Sequence, residues 1–336
     1  MISRVADCCF WFGRYLERAE STARLLQVTA GLALDGDLTP RQCWHPVVIT
    51  AGEEAAFVAR HGEAALSDGE RVQAHLAIDP DVGVSIVSSV AAARENARSI
   101  REVISLEVWE SINELYLWTR SDAARAAWEE NRYEHYRRVR SEIQLCLGLL
   151  RGTMLHDEPM YFTWLGVLLE RTGQTARILD VHHHAFTRAA ASADDRDPHR
   201  AIAVAHWLSL LRACYGFEPF MKSHRGSVTG EAVAAFLVFE ARFPRAVRYC
   251  VRRARESMID ARPPGTPPLR ALAHLDRLEA DLAAAEKVPL DPARLHAILT
   301  NVVDTTHAVS SAISDELFGA AVAAPAAAPT QSQSQA

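Results

Sequence analysis

The sequence predicts an all-α protein, a helical bundle made of two tandem pseudo-symmetric helical repeats. Prolines and glycines fall mostly between long periodic segments rather than inside them. No run alternates β-branched with polar residues; Val47-Val48-Ile49 is too short for a strand. One 17-residue segment also occurs twice, which implies a duplicated unit.

Taken in order, the first helix is expected from Arg4 to Leu34, stopped by Asp35-Gly-Asp-Leu-Thr-Pro40. Helices follow from Gln42 to Ala65, Pro80 to Leu106, Val108 to Trp118, and Asp122 to Arg151, the last free of proline throughout. Pro80 suits the first turn of its helix, where a missing N–H costs nothing. Further helices are expected from Pro159 to Phe186, Pro198 to Tyr215, Gly230 to Arg242 and Pro244 to Met258. After the linker Arg262-Pro-Pro-Gly-Thr-Pro-Pro268 come two more, Leu269 to Lys287 and Pro292 to Phe318. The division is residues 1–153 as one repeat, 154–318 as a second packed on it, and 319–336 as a disordered tail of Ala, Pro, Ser and Gln with too little to bury.

Composition excludes several classes. With 336 residues, 49% hydrophobic and 23% charged, the chain can bury a sizeable core. A net charge of -6 argues against a nucleic-acid binder, which needs basic excess to neutralise phosphates. Lys222 and Lys287 are the only lysines, so positive charge is carried by arginine. The cysteines Cys8, Cys9, Cys43, Cys146, Cys214 and Cys250 form no CxxC pair and are expected reduced and mostly buried. No signal peptide opens the chain and no run of apolar residues is long enough for a membrane span, so a cytoplasmic location is expected. No GxGxxG, P-loop, GxSxG or HExxH occurs, and neither a cofactor nor a metal is expected.

The repeat aligns Phe10 to Leu26 with Thr163 to Leu179 at an offset of 153, with nine of 17 positions identical. Chance would give about one match. Trp44 with Trp207, Pro80 with Pro244, and Ala93-Arg94-Glu95 with Ala254-Arg255-Glu256 extend the correspondence. On a helix, Phe12, Leu16, Ala19, Ala23 and Leu26 make one apolar stripe. Gly13, Glu17 and Arg24 lie beside it, as do Gly166, Glu170 and Arg177 in the second copy. A glycine inside a helix costs about 1 kcal/mol relative to alanine, so its presence in both copies implies a close backbone. The two helices are therefore expected to cross near Gly13 and Gly166, bringing Glu17 and Glu170 towards Arg177 and Arg24. Such a cluster is either a set of structural ion pairs or the lining of a pocket in which arginines hold an anion and glutamates position an amine or proton.

Arg94, Arg98 and Arg101 share one helical face, and Arg245, Arg248, Arg252 and Arg255 another. Such stripes receive an anionic partner or form a solvated face paired with Glu95, Glu102 and Glu256. His182-His183-His184 point in three directions and cannot chelate one metal, which leaves a solvated helix end as the expectation.

Trp11-Phe-Gly-Arg-Tyr-Leu-Glu-Arg-Ala-Glu20 and Ala93-Arg-Glu-Asn-Ala-Arg98 resemble the bacterial alpha-E family, an α-helical domain carrying a Glu-Arg motif. Glu17-Arg18 stand where that pair belongs, and Glu170-Arg171 repeat it. Phe243-Pro-Arg-Ala-Val-Arg-Tyr249 also resembles a family segment, with Ala246 in place of an expected serine. The resemblance implies partners: a circularly permuted ATP-grasp ligase-like protein and a transglutaminase-like protease. It implies an accessory or substrate-binding role in amide-bond formation or peptide modification, with Glu17, Arg18, Arg24, Arg94, Glu95, Asn96, Arg98, Glu170, Arg171 and Arg177 as the candidate substrate-binding set. An enzyme using Glu17 or Glu170 as acid-base groups and a non-catalytic scaffold are the alternatives.

Overall fold

The computed structural model describes residues 3–35, 38–191, 197–262 and 269–319, with side chains described outside 184–203. Fifteen α-helices and no strand occur among these residues, as an all-α pattern requires. The expected tail and most of the Arg262-to-Pro268 linker lie outside the described residues.

Two long helices form the centre: α1 (Ser3–Asp35) and α9 (Glu158–Ala191). Each buries apolar and charged residues alike, because it is surrounded rather than laid on a surface. They cross where Gly13 meets Gly166. A Cβ on Gly13 would stand 2.0 Å from the carbonyl oxygen of Thr163, and a Cβ on Gly166 would stand 2.0 Å from that of Phe10. The contact is reciprocal at the 153-residue offset. Only hydrogen fits at either position, so these glycines are steric necessities.

The surrounding helices pack in matching fashion. On one side α5 (Ile86–Ser99) and α8 (Arg132–Thr153) lie on α1, joined by α6 (Leu106–Thr119). On the other, α13 (Val247–Asp260) and α15 (Pro292–Ile313) lie on α9, joined by α14 (Arg270–Ala285). Helices α2 (Pro40–Ala51) and α10 (Asp197–Ala213) each touch both central helices.

Several expected helices are shorter or divided, each for a local reason. The span from Gln42 to Ala65 breaks at Gly52, whose φ of 76° is left-handed and caps α2; α3 (Glu54–His61), a 3₁₀ turn (Glu63–Ser67) and α4 (Gly69–Ala77) follow. The helix expected from Asp122 to Arg151 is interrupted at Asn131, which leaves the helical region and accepts from the Glu134 N–H, separating α7 (Asp122–Glu130) from α8. Pro80 does not open α5. It sits in a preceding turn, and Ser85 is the N-cap, accepting from the Ser88 N–H while its hydroxyl donates to the Asp79 carbonyl. Short α11 (Phe217–Ser223) was not expected, and α12 (Gly230–Phe239) ends before Arg242.

The turns before α5 and α13 have the same hydrogen bonds: Val82 to Asp79 and Ser85 to Val82 in one, Phe243 to Glu240 and Ala246 to Phe243 in the other. That register sets Pro80 opposite Ala241, not Pro244, and Ser85 opposite Ala246. The alanine in the motif-like segment thus stands at a helix N-cap and supplies no side-chain cap.

The five fully buried thiols and half-buried Cys8 are free. Burial pushes Cys9, Cys146 and Cys250 up to about 12, which keeps them protonated and unreactive. No described helix is long and apolar enough to cross a membrane.

Gly13→Ala and Gly166→Ala should each lower stability by about 1–3 kcal/mol or more through backbone overlap. Gly31→Ala, also within α1 but with nothing within 4 Å of the added methyl, should be neutral or stabilising by up to about 1 kcal/mol. Urea unfolding of the three variants measures both.

Candidate functional site

Beside the crossing, the Glu-Arg pairs of the two central helices bind each other. Glu17 Oε2 accepts from Arg171 Nη2 at 2.7 Å, and Glu170 Oε1 accepts from Arg18 Nε at 2.8 Å. Each glutamate thus takes the arginine that follows the other glutamate in sequence. This differs from the expected partners: Arg24 pairs within its own helix with Glu20, and Arg177 makes no hydrogen bond or ion pair with any described residue. The cause is displacement along the helix axis. Position 24 shares the face of position 17 but lies about 10 Å further on, where it meets α10, whereas position 18 sits beside the crossing and reaches the facing helix.

Each carboxylate also takes a second arginine. Glu17 Oε1 accepts from Arg245 Nη1 at 2.6 Å and from Ser21 at 3.3 Å. Glu170 Oε2 accepts from Arg14 Nε at 2.8 Å, and its Oε1 from Gln174 at 3.2 Å. Arg245 bridges on to Glu20 at 3.0 Å. Its own position is held by Thr175, whose hydroxyl donates to the Arg245 carbonyl at 3.1 Å. Arg245 therefore leaves the arginine stripe with which the sequence grouped it and points inward. Arg248 instead pairs with Glu286, and Arg255 with Asp276.

Glu17, Glu20 and Glu170 are all buried, at 0%, 0% and 1% exposure. Burial pushes each carboxyl up, yet the adjoining arginines outweigh it and hold all three below the usual carboxylate range, Glu20 at about 2. Tyr215 closes the Glu17 side. Its hydroxyl accepts from Arg140 Nη2 at 2.8 Å, and its ring lies 4.4 Å from the guanidinium of Arg24 and 4.9 Å from that of Arg245. The backbone there is left-handed, φ 55°, a conformation that costs a bulky residue about 1–3 kcal/mol. Sequence reasoning did not place Glu20, Arg14, Arg140, Arg245 or Tyr215 in this cluster. Only Glu20 carried a usable signal, its spacing of three from Glu17 and four from Arg24.

The other candidates lie elsewhere. Arg94 bonds Glu95 and Asn113 and stacks over Trp109 and Tyr116, Arg98 bonds Glu95, and Asn96 donates to the Ala92 carbonyl. These make a surface network on α5 and α6, separate from the buried cluster. His182 and His183 are buried within α9, contrary to a solvated helix end; burial pushes His182 down to about 4, so it stays neutral. Clefts of about 520 Å³ beside Glu218, Lys222 and Phe236, about 750 Å³ beside Glu231 and Lys287, and about 220 Å³ beside Arg120 and Trp128 are lined by no member of the Glu-Arg cluster.

The pH dependence of stability follows from these groups. Between pH 6.5 and about 4 the unfolded chain protonates His182 while the folded chain does not. Below 4.5 the unfolded chain protonates Glu20, which stays charged when folded down to about 2. In both windows the unfolded state binds more protons, so stability falls as pH drops. The urea midpoint should therefore decline gently below pH 6.5 and steeply below 4.5, as Glu17 and Glu170 join Glu20. A flat profile to about pH 3 would contradict the assignment.

Residues 1–318 match the Alpha-E family model, described as a predicted alpha-helical domain with a conserved ER motif. The chain is 25% identical over 272 residues to uncharacterized protein Mb2597 of Mycobacterium bovis and to uncharacterized protein MT2643 of Mycobacterium tuberculosis. It is 24% identical over the same length to uncharacterized protein Rv2567 of Mycobacterium tuberculosis. Each alignment covers 76% of this chain but 30% of the relative, so the chain spans less than a third of the proteins it matches. No solved structure matches.

Proposed function

We propose, from the premise that this chain belongs to the Alpha-E family, that it is a non-catalytic helical accessory component of an ATP-grasp ligase system that forms amide bonds or modifies peptides. The observation that carries the non-catalytic part is the closure of the Glu-Arg cluster. A general base must reach the proton it removes, but both oxygens of Glu17 and of Glu170 are saturated by arginines and withdrawn from solvent. A carboxylate held below its usual range is also a weak base at neutral pH. The matching region makes up 30% of its relatives, which supports a unit that works joined to, or beside, another domain.

In this reading Glu17 with Arg171 and Glu170 with Arg18 hold the two central helices together, Arg24 ties the first of them to α10, and the duplicated halves, residues 1–153 and 154–318, form one support. Arg18 and Arg177, which keep part of their surface, contact an anionic or amino-acid-like group. Arg94, Glu95, Asn96 and Arg98 offer a partner-facing patch to the circularly permuted ATP-grasp protein, with the transglutaminase-like protease as a further companion.

Two measurements test this. Mass spectrometry of peptide, ATP and amino acid incubated with the ligase should show amide product that drops when this chain is omitted; equal product without it would remove the accessory role. Glu17→Gln and Glu170→Gln should lower stability by about 3–5 kcal/mol by leaving buried arginines unpaired. Loss of turnover at unchanged stability would instead favour the enzyme reading.

A further inference from the structure

The two halves of the cluster differ at the place of Glu20. In α1, Glu20 lies one turn before Arg24 and pairs with its guanidinium. At the 153-residue offset, Arg177 occupies the place of Arg24, and the place of Glu20 is Gly173. Arg177 has consequently lost its acidic partner. Its guanidinium leans over the glycine, so that a Cβ on Gly173 would stand 3.4 Å from Nη1, 3.6 Å from Nη2 and 3.6 Å from the hydroxyl of Thr306. These are ordinary contacts, so a methyl group at 173 fits.

Positive charge is in excess around Arg177. Arg14, Arg18 and Arg177 all act on Glu170, a single carboxylate whose oxygens already accept from Arg14, Arg18 and Gln174. Arg177 Nε is buried with no hydrogen-bond partner among the described residues. The Arg14 and Arg18 side chains keep 12% and 18% of their surface. Ser310, which accepts from Arg14 Nη1 at 2.9 Å, and exposed His307 of α15 border the same place. The equivalent region around Arg24 is closed by Glu20, Arg245 and Tyr215.

We propose that Arg177, with Arg14 and Ser310, forms a receptor for the carboxylate of a small ligand or peptide, which takes beside Arg177 the place that Glu20 takes beside Arg24. A carboxylate is the group the molecule itself uses against an arginine in this setting, and a charge-assisted pair with a guanidinium fork suits it. The site rests on the reading that Arg177 contacts an anionic group, and its test measures binding alone, so its failure is distinct from a failure of the ligase assay.

Glutarate is the probe, tested on the full chain by calorimetry and thermal unfolding against chloride at matched ionic strength. Wild type and Gly173→Ala should bind glutarate and melt higher in its presence. Arg177→Gln should bind about tenfold or more weakly. Gly173→Glu, which supplies an internal acid, should melt higher in buffer and lose the response to glutarate. A Gly173→Glu protein that responds like wild type, an Arg177→Gln protein that binds like wild type, or a wild type that responds to inorganic phosphate but not glutarate would each overturn the proposal. Should Gly173→Glu fail to fold, the calorimetry of Arg177→Gln decides alone.

Discussion

Two helix backbones pressed together at Gly13 and Gly166 are the constraint on which the remaining structure depends. Contact this close leaves no room for water between α1 and α9 on the flank of the crossing. Glu17 and Glu170, one turn further along each helix, are therefore stripped of solvent. A bare buried carboxylate would be untenable, and each is met by the arginine next to the other. The Glu-Arg pair thus acts across the interface rather than within one helix. Neighbouring residues on a helix point 100° apart, so a glutamate and the arginine that follows it cannot readily bind each other but can each reach a facing helix.

Around this shared frame the two sides differ. On the Glu17 side, Arg245 enters from the turn before α13, Glu20 adds a second carboxylate, and Tyr215 accepts a strained backbone to cover them. On the Glu170 side, Val84 stands in the turn where its counterpart has Arg245, Gly173 stands where its counterpart has Glu20, and Arg14 supplies the second guanidinium. One side is a sealed ionic core, whereas the other keeps an unpaired arginine near solvent.

The helical class and the crossing point were legible because both rest on local rules. Periodicity marks helices, and a glycine kept inside two equivalent helices marks a close approach. Helix divisions were less legible. Asn131 and Gly52 end helices through side-chain capping and a left-handed backbone, and neither interrupts the apolar pattern strongly. The ion-pair partners were misassigned because spacing places Arg24 and Arg177 near the right face but does not fix which neighbour each side chain meets. Arg245 and Tyr215 were illegible for a different reason: they reach the cluster from turns more than 190 residues away in sequence, and only the packing of α10 and α13 against the centre brings them there.

The central claim is that Glu17 and Arg171 are energetically joined across the two central helices, and a double-mutant cycle addresses it most directly. Stability of wild type, Glu17→Gln, Arg171→Gln and the double variant should give a coupling energy above about 1.5 kcal/mol, with the double variant less damaged than the sum of the singles. Additive losses would mean that each charge is held by other partners, and that the reciprocal pairing does not bind the halves.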